Sequence, residues 1–187
     1  NPFTGPQIVE FDQAVKNRDD RVKELKNEFE RAKNYALAQD AYAKDKTLPY
    51  PATDLKLEAM IPYVKGEKPV IFPMERARDI RGLVKFVEEM KLKAIIFGGS
   101  EADLVADDLK RLNIPVIYDN IFNNPIRDDD AYDDLYAAPA RIQKAGIKFA
   151  ISTGDDGANV RDLPYQAGMA SAFGLPKDEA LKSVTLY

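Results

Sequence analysis

The chain has 187 residues, 45% of them hydrophobic and 31% charged, a balance that suits a globular protein with a real core. Its net charge of −4 argues against a nucleic-acid surface, and no apolar run is long enough to span a bilayer. It contains neither histidine nor cysteine, which excludes imidazole bases, thiolate nucleophiles, disulfides and zinc sites built on those side chains.

Asn1 to Pro6 is a Pro/Gly-rich lead-in. A long amphipathic helix is predicted from Ile8 to Ala43, with Phe11, Val15, Val22, Leu25, Phe29, Ala32 and Ala36 on one face. Leu48-Pro49-Tyr50-Pro51 ends it, and Thr53-Asp54 caps a short helix running to Val64. From Lys68 the rhythm changes to short apolar runs alternating with helical patterns. The runs are Val70–Phe72, Ala94–Phe97, Val116–Tyr118 and Phe149–Ser152. Helices are expected over Ala77–Met90, Ser100–Leu112, Asp130–Ala145, Arg161–Phe173 and Lys177–Val184, with Asn113 and Gly146 closing two of them. Continuous apolar runs in βα alternation imply parallel strands covered by helices. Four such units fit either a small open doubly wound sheet or half of an eight-stranded βα barrel, and both place function at the carboxyl ends of the strands.

Each strand end has a carboxylate close by. Glu75 and Arg76 follow the first run, Gly98-Gly99-Ser100-Glu101 the second, Asp119-Asn120 the third, and Thr153-Gly154-Asp155-Asp156 the fourth, with Arg161 soon after. Converging carboxylates suit a hard cation such as Mg²⁺ or Ca²⁺; equally, Asp and Glu cap the helices that follow. Gly98-Gly99-Ser100 is a short candidate phosphate cradle, or a tight turn in which Ser100 and Asp103 form a capping pair. Asp128-Asp129-Asp130 suits a helix start better than calcium, because the EF-hand spacing is missing. Tyr118, Phe122, Tyr132 and Tyr136 either line a sugar- or peptide-binding groove or pack in the core. Ser152 and Thr153 have no base to activate them.

The segment from Leu55 to Tyr187 resembles the amidohydrolase superfamily, in particular its imidazolonepropionase-like and prolidase-like members. The resemblance is carried by Lys56-Leu57-Glu58-Ala59-Met60, Gly66-Glu67-Lys68-Pro69-Val70 and Arg76-Ala77-Arg78-Asp79-Ile80. It continues in Gly98-Gly99-Ser100-Glu101-Ala102, Asn159-Val160-Arg161-Asp162-Leu163-Pro164 and Gly174-Leu175-Pro176-Lys177-Asp178-Glu179-Ala180-Leu181, before Ser183-Val184-Thr185-Leu186. It implies a TIM-like (β/α)8 barrel with a divalent metal at the strand ends and hydrolysis of C–N bonds other than peptide bonds. The four strands would be the barrel's last four. Residues 1–54 would be a lead-in and an inserted helix, and residues 55–187 the C-terminal half of the barrel.

The departures from the family pattern are specific. Relatives carry metal-binding histidine in a V-H-A-H-R-A stretch where this chain has Phe72-Pro73-Met74-Glu75-Arg76-Ala77. A Ser-Asp or Thr-Asp pair in relatives is Thr153-Gly154-Asp155 here. On the resemblance, Asp155 is the candidate catalytic acid/base, Glu75 and Glu101 the candidate metal ligands, and Arg76, Asn120 and Arg161 the candidate substrate-binding residues. The expectation is a barrel segment without a conventional metal centre; the alternative is a non-catalytic carbohydrate- or peptide-binding scaffold. Expected partners are a small-molecule or peptide substrate and either the missing barrel half or a second copy covering the open strand edges, with neither nucleic acid nor membrane. The compartment is open between the cytoplasm and a bacterial exported location.

Overall fold

The computed structural model describes residues 10–187 except 120, 126, 155 and 156. The chain divides into two compact units, Asn1–Glu67 and Lys68–Tyr187. Among the described residues no helix is long and apolar enough to cross a membrane.

The first unit pairs two helices, α1 (Phe11–Lys44) and α2 (Leu55–Val64). The Asp54 carboxylate accepts hydrogen bonds from the N–H groups of Lys56 and Leu57 at 3.0 and 3.1 Å, which satisfies two of the donors that open α2. Ala32 and Tyr35 of α1 pack with Leu57 of α2, and Met60, Ile61 and Val64 close over them. Ion pairs Lys56–Glu28 and Lys65–Asp40 flank this small core. Phe11 and Leu37 remain exposed on α1.

The second unit is a four-stranded parallel sheet in the order β1 (Val70–Met74), β2 (Ala94–Gly98), β3 (Val116–Tyr118), β4 (Phe149–Ile151). Its connections run through α3 (Ala77–Met90), a 3₁₀ turn (Ala102–Val105) leading into α4 (Ala106–Arg111), and α5 (Asp134–Lys144). After β4 come a 3₁₀ turn (Gly157–Asp162), α6 (Leu163–Ala172) and α7 (Lys177–Ser183). The cross-strand register puts Phe72, Ile96, Val116 and Phe149 on one face, all buried. Here the Phe72 ring meets Phe86 of α3 edge-on, with centroids 6.1 Å apart.

The other face carries Ile71, Ile95, Ile117 and Ala150. Ile71 is 56% exposed, and the remaining three are half-buried. An apolar cleft of about 720 Å³ lies along it, lined by Ile95, Ile117 and Ala150 together with Leu186 and Tyr187. The sheet is therefore apolar on both faces but packed on one.

Three helices differ from their sequence-based bounds. The stretch expected as one helix from Ser100 begins as 3₁₀, and Val105 at φ −131° separates it from α4. The acidic run at 128–130 precedes α5 rather than opening it: the Asp130 carboxylate accepts from the Arg127 N–H at 2.9 Å, a turn hydrogen bond, and α5 starts at Asp134. Arg161 lies in a 3₁₀ turn because α6 begins at Leu163, with Pro164 in its first turn. Asn113 (φ 52°) and Gly146 (φ 76°) do adopt the left-handed conformation that closes helices.

One buried contact compensates for a helix defect. Pro139 sits inside α5 and has no N–H to give the carbonyl of Leu135, four residues earlier. The hydroxyl of Tyr118, fully buried at the end of β3, donates to that carbonyl at 2.8 Å. Burial holds this hydroxyl protonated well above the ordinary tyrosine range. Tyr118→Phe is expected to cost about 1–3 kcal/mol, the penalty of an unpaired buried carbonyl. Adding Pro139→Ala, which restores the helical N–H, should recover part of that loss in urea denaturation. Equal costs for Tyr118→Phe in the two backgrounds would show that the hydroxyl does not replace the missing donor.

Candidate functional site

The carboxyl ends of β1 and β2 hold each other through five hydrogen bonds. The Gly99 N–H donates to the Met74 carbonyl at 2.7 Å and the Glu101 N–H to the Glu75 carbonyl at 3.1 Å. The Ser100 hydroxyl also donates to the Glu75 carbonyl, at 3.3 Å, and the Ser100 N–H to Glu75 Oε2, at 3.3 Å. In return, Glu101 Oε2 accepts from the Ala77 N–H at 2.8 Å, where α3 begins. Arg76, the residue before α3, contributes no side-chain cap, so a glutamate from the neighbouring loop does the capping. The other Glu101 oxygen pairs with Arg127 at 3.1 Å.

Gly98 makes this arrangement possible. Its φ is +96°, and a Cβ built there would lie 2.1 Å from Glu75 Oε1. Only glycine meets both the backbone and the space requirement. The Gly98-Gly99-Ser100 turn therefore does receive an anionic group, but that group is the chain's own Glu75. The expected Ser100–Asp103 capping pair does not form, because the Ser100 hydroxyl is engaged with Glu75 and the 3₁₀ turn has no side-chain cap.

A second group of polar residues gathers at the ends of β3 and β4. A cleft of about 350 Å³ is lined by Asp119, Thr153 and Gly154 at the strand ends, Phe122 and Asn123 after β3, and Asn159, Asp162 and Gln166 after β4. A Cβ on Gly154 would lie 3.7 Å from Asp119 Oδ2, so the two loops approach closely. The Gly154 N–H donates to Ser152 Oγ at 3.1 Å, which fixes the turn. Gln166 is only 5% exposed, and its amide oxygen is buried with no hydrogen-bond partner among the described residues.

The structure thus brings Glu75 and Glu101 into one clamp, and Arg76 stands beside them at the start of α3. Arg161 is separate and highly exposed, 3.8 Å from Asp162. Asp155 and Asn120 lie outside the described residues. Among the described residues no three Asp or Glu side chains are placed to hold a metal ion together. Tyr118 belongs to the core, and Tyr136 packs on Phe173 with centroids 5.1 Å apart, while Tyr132 and Phe122 are exposed.

Sequence reasoning missed Asp162 and Gln166. The available signal was Gln166, the one long polar side chain in the helix Leu163–Ala172, whose other residues are apolar or small apart from Tyr165.

No protein-family model matches the chain, and a search of curated proteins finds no match. Among solved structures, an amidohydrolase from Thermotoga maritima MSB8 shares the fold, with a TM-score of 0.77 and 23% sequence identity. The match covers 88% of this chain and 43% of that one, so the chain spans less than half the length of its structural neighbour.

The seat of Glu75 against Gly98 is open to a direct check. Gly98→Ala is expected to destabilise the chain by at least about 1–3 kcal/mol, the cost of a strained backbone, with the carboxylate clash added. In a Glu75→Ala background the cost should fall but not vanish, because φ stays positive. Equal cost in both backgrounds by chemical denaturation would show that Glu75 does not lie over Gly98.

Proposed function

We propose that this chain is part of an amidohydrolase-like βα barrel whose strand ends serve as a small-molecule binding scaffold rather than as a conventional hydrolytic metal centre. The observation that carries the reading is the clamp between β1 and β2. Glu75 and Glu101 are the carboxylates nearest the positions where the family resemblance expects metal ligands. Glu101 spends its oxygens on the α3 N-terminus and Arg127. Glu75 accepts from the Ser100 N–H. A metal bound there would share oxygens already engaged in these contacts, and the chain has no histidine or cysteine to complete a zinc site. The donor set does not fit a group that must lower the pKa of a bound water.

The apolar face bearing Ile71, Ile95 and Ile117 is the inner wall of the proposed barrel. Its covering is either further strands of the same protein or a second copy. The shared fold with a solved amidohydrolase supports the superfamily. The imidazolonepropionase-like assignment rests on sequence motifs such as Asn159-Val160-Arg161-Asp162-Leu163-Pro164.

Elemental analysis of the purified full-length protein is expected to find well under one transition-metal ion per chain. Asp155→Ala is expected to leave its behaviour toward amide and lactam substrates unchanged. One tightly held zinc per chain, with hydrolysis abolished by Asp155→Ala, would replace this reading with that of an active enzyme whose other ligands come from the rest of the barrel.

A further inference from the structure

The apolar seam of α1 is longer than the helix that packs on it. A seven-residue spacing runs through α1 in two interleaved rows. One row is Val15, Val22, Phe29 and Ala36, and the other is Phe11, Arg18, Leu25 and Ala32. Rows of this period, set three and four residues apart, lie on one side of a helix and are the pattern that winds helices around each other. The C-terminal half of the seam is in use. Phe29, Ala32 and Ala36 are buried, beside the small core that Ala32 and Tyr35 make with Leu57 of α2. The N-terminal half differs, with Phe11 79%, Val22 41% and Leu25 42% exposed. The 10 residues of α2 reach along less than a third of the 34 in α1. A helix segment gains most of its stability from packing its apolar side, and the first half of α1 keeps that side in view.

We infer that the exposed half of this seam docks α1 of a second copy of the chain, laid antiparallel. Charge selects the occupant and its direction. Arg18, the one charged residue in the seam, holds its own Asp19 at 2.7 Å, in an exposed pair of little worth by itself. Antiparallel packing sets Val15 against the second copy's Leu25, and Arg18 against its Val22. The two Arg18–Asp19 pairs then meet head to tail about a two-fold axis, and each guanidinium lies near the other copy's carboxylate as well as its own. Parallel packing would instead stack Arg18 on Arg18 and Asp19 on Asp19, like charge on like. A polar residue at one seam position is a known means of fixing register in such pairs. The pairing stops at the second copy's Phe29, which is already buried. The seam so shared runs for about four helical turns. That is below the extent of permanent interfaces, so the dimer forms and dissociates with concentration. This contact is independent of whatever covers the sheet of the second unit.

Two measurements on the 187-residue chain test the inference. Sedimentation equilibrium, taken to roughly 0.5 mM, should show a monomer–dimer equilibrium. Leu25→Asp changes an exposed side chain, and its circular dichroism should match that of the parent. It should weaken the dimer at least roughly tenfold, the worth of leucine burial lost from both copies. A monomer at every concentration would overturn the inference. A dimer indifferent to Leu25→Asp would place the contact elsewhere, such as on the open face of the sheet, and would overturn it equally. The second measurement reads direction. The chain has no cysteine, so introduced ones report their neighbours cleanly. Under mild oxidation, a chain carrying Val15→Cys should cross-link to one carrying Leu25→Cys, and neither should cross-link to itself. Any other pattern, self-linking of each variant above all, would overturn the antiparallel arrangement.

Discussion

Between the turns that follow β1 and β2, each loop supplies what the other lacks. The β1–α3 turn offers carbonyls at Met74 and Glu75 and takes a cap from Glu101. The β2 turn offers N–H groups at Gly99, Ser100 and Glu101 and takes the Glu75 carboxylate. Neither loop meets its backbone hydrogen-bonding needs alone, and unmet groups at partly buried positions are costly. This reciprocity fixes where α3 starts and how β1 and β2 end. It also gives Glu75 and Glu101 hydrogen-bonding duties toward the backbone that any other ligand there would have to share.

The two strand-end regions divide their labour. At β1 and β2 the polar groups are turned inward on the protein's own backbone. At β3 and β4 they surround a cleft, and one buried amide oxygen has no hydrogen-bond partner among the described residues. In a parallel sheet both regions sit at the carboxyl edge, where βα folds place their chemistry. On the proposed reading, binding has moved to one side of that edge while the other has become structural. The sheet's second face fits the same picture. Ile71, Ile95, Ile117 and Ala150 form an apolar surface of the kind that proteins ordinarily cover.

Much of the architecture was legible from residue patterns. All four strands were found to within two residues, because buried parallel strands read as short apolar runs that little else mimics. Ala77–Met90 was legible as a helix because its apolar residues recur at the helical period and line one buried face. The split at Val105 was not, since local propensity does not register that Ser100 is claimed by a carbonyl in the turn after β1. The same holds for the candidate site. Glu75 and Glu101 were singled out as carboxylates at strand ends, and that placement is correct. Their engagement with Ser100 and Ala77 depends on contacts 24 and 25 residues apart in the chain, which spacing rules do not reach. For Gln166 the sequence offers only a long polar side chain in an apolar helix; that its amide oxygen has no partner among the described residues is visible only in three dimensions.

On the proposed reading, Glu75 and Glu101 serve the backbone and hold no metal. The most direct measurement is a Zn²⁺ titration followed at the amide resonances of Ala77, Ser100 and Glu101. Continued protection of these amides from hydrogen exchange, with no saturable shift as zinc is added, is expected. A saturable change at all three amides, with loss of protection at Ala77 and Ser100, would show that the carboxylates leave the backbone to bind metal and would contradict it.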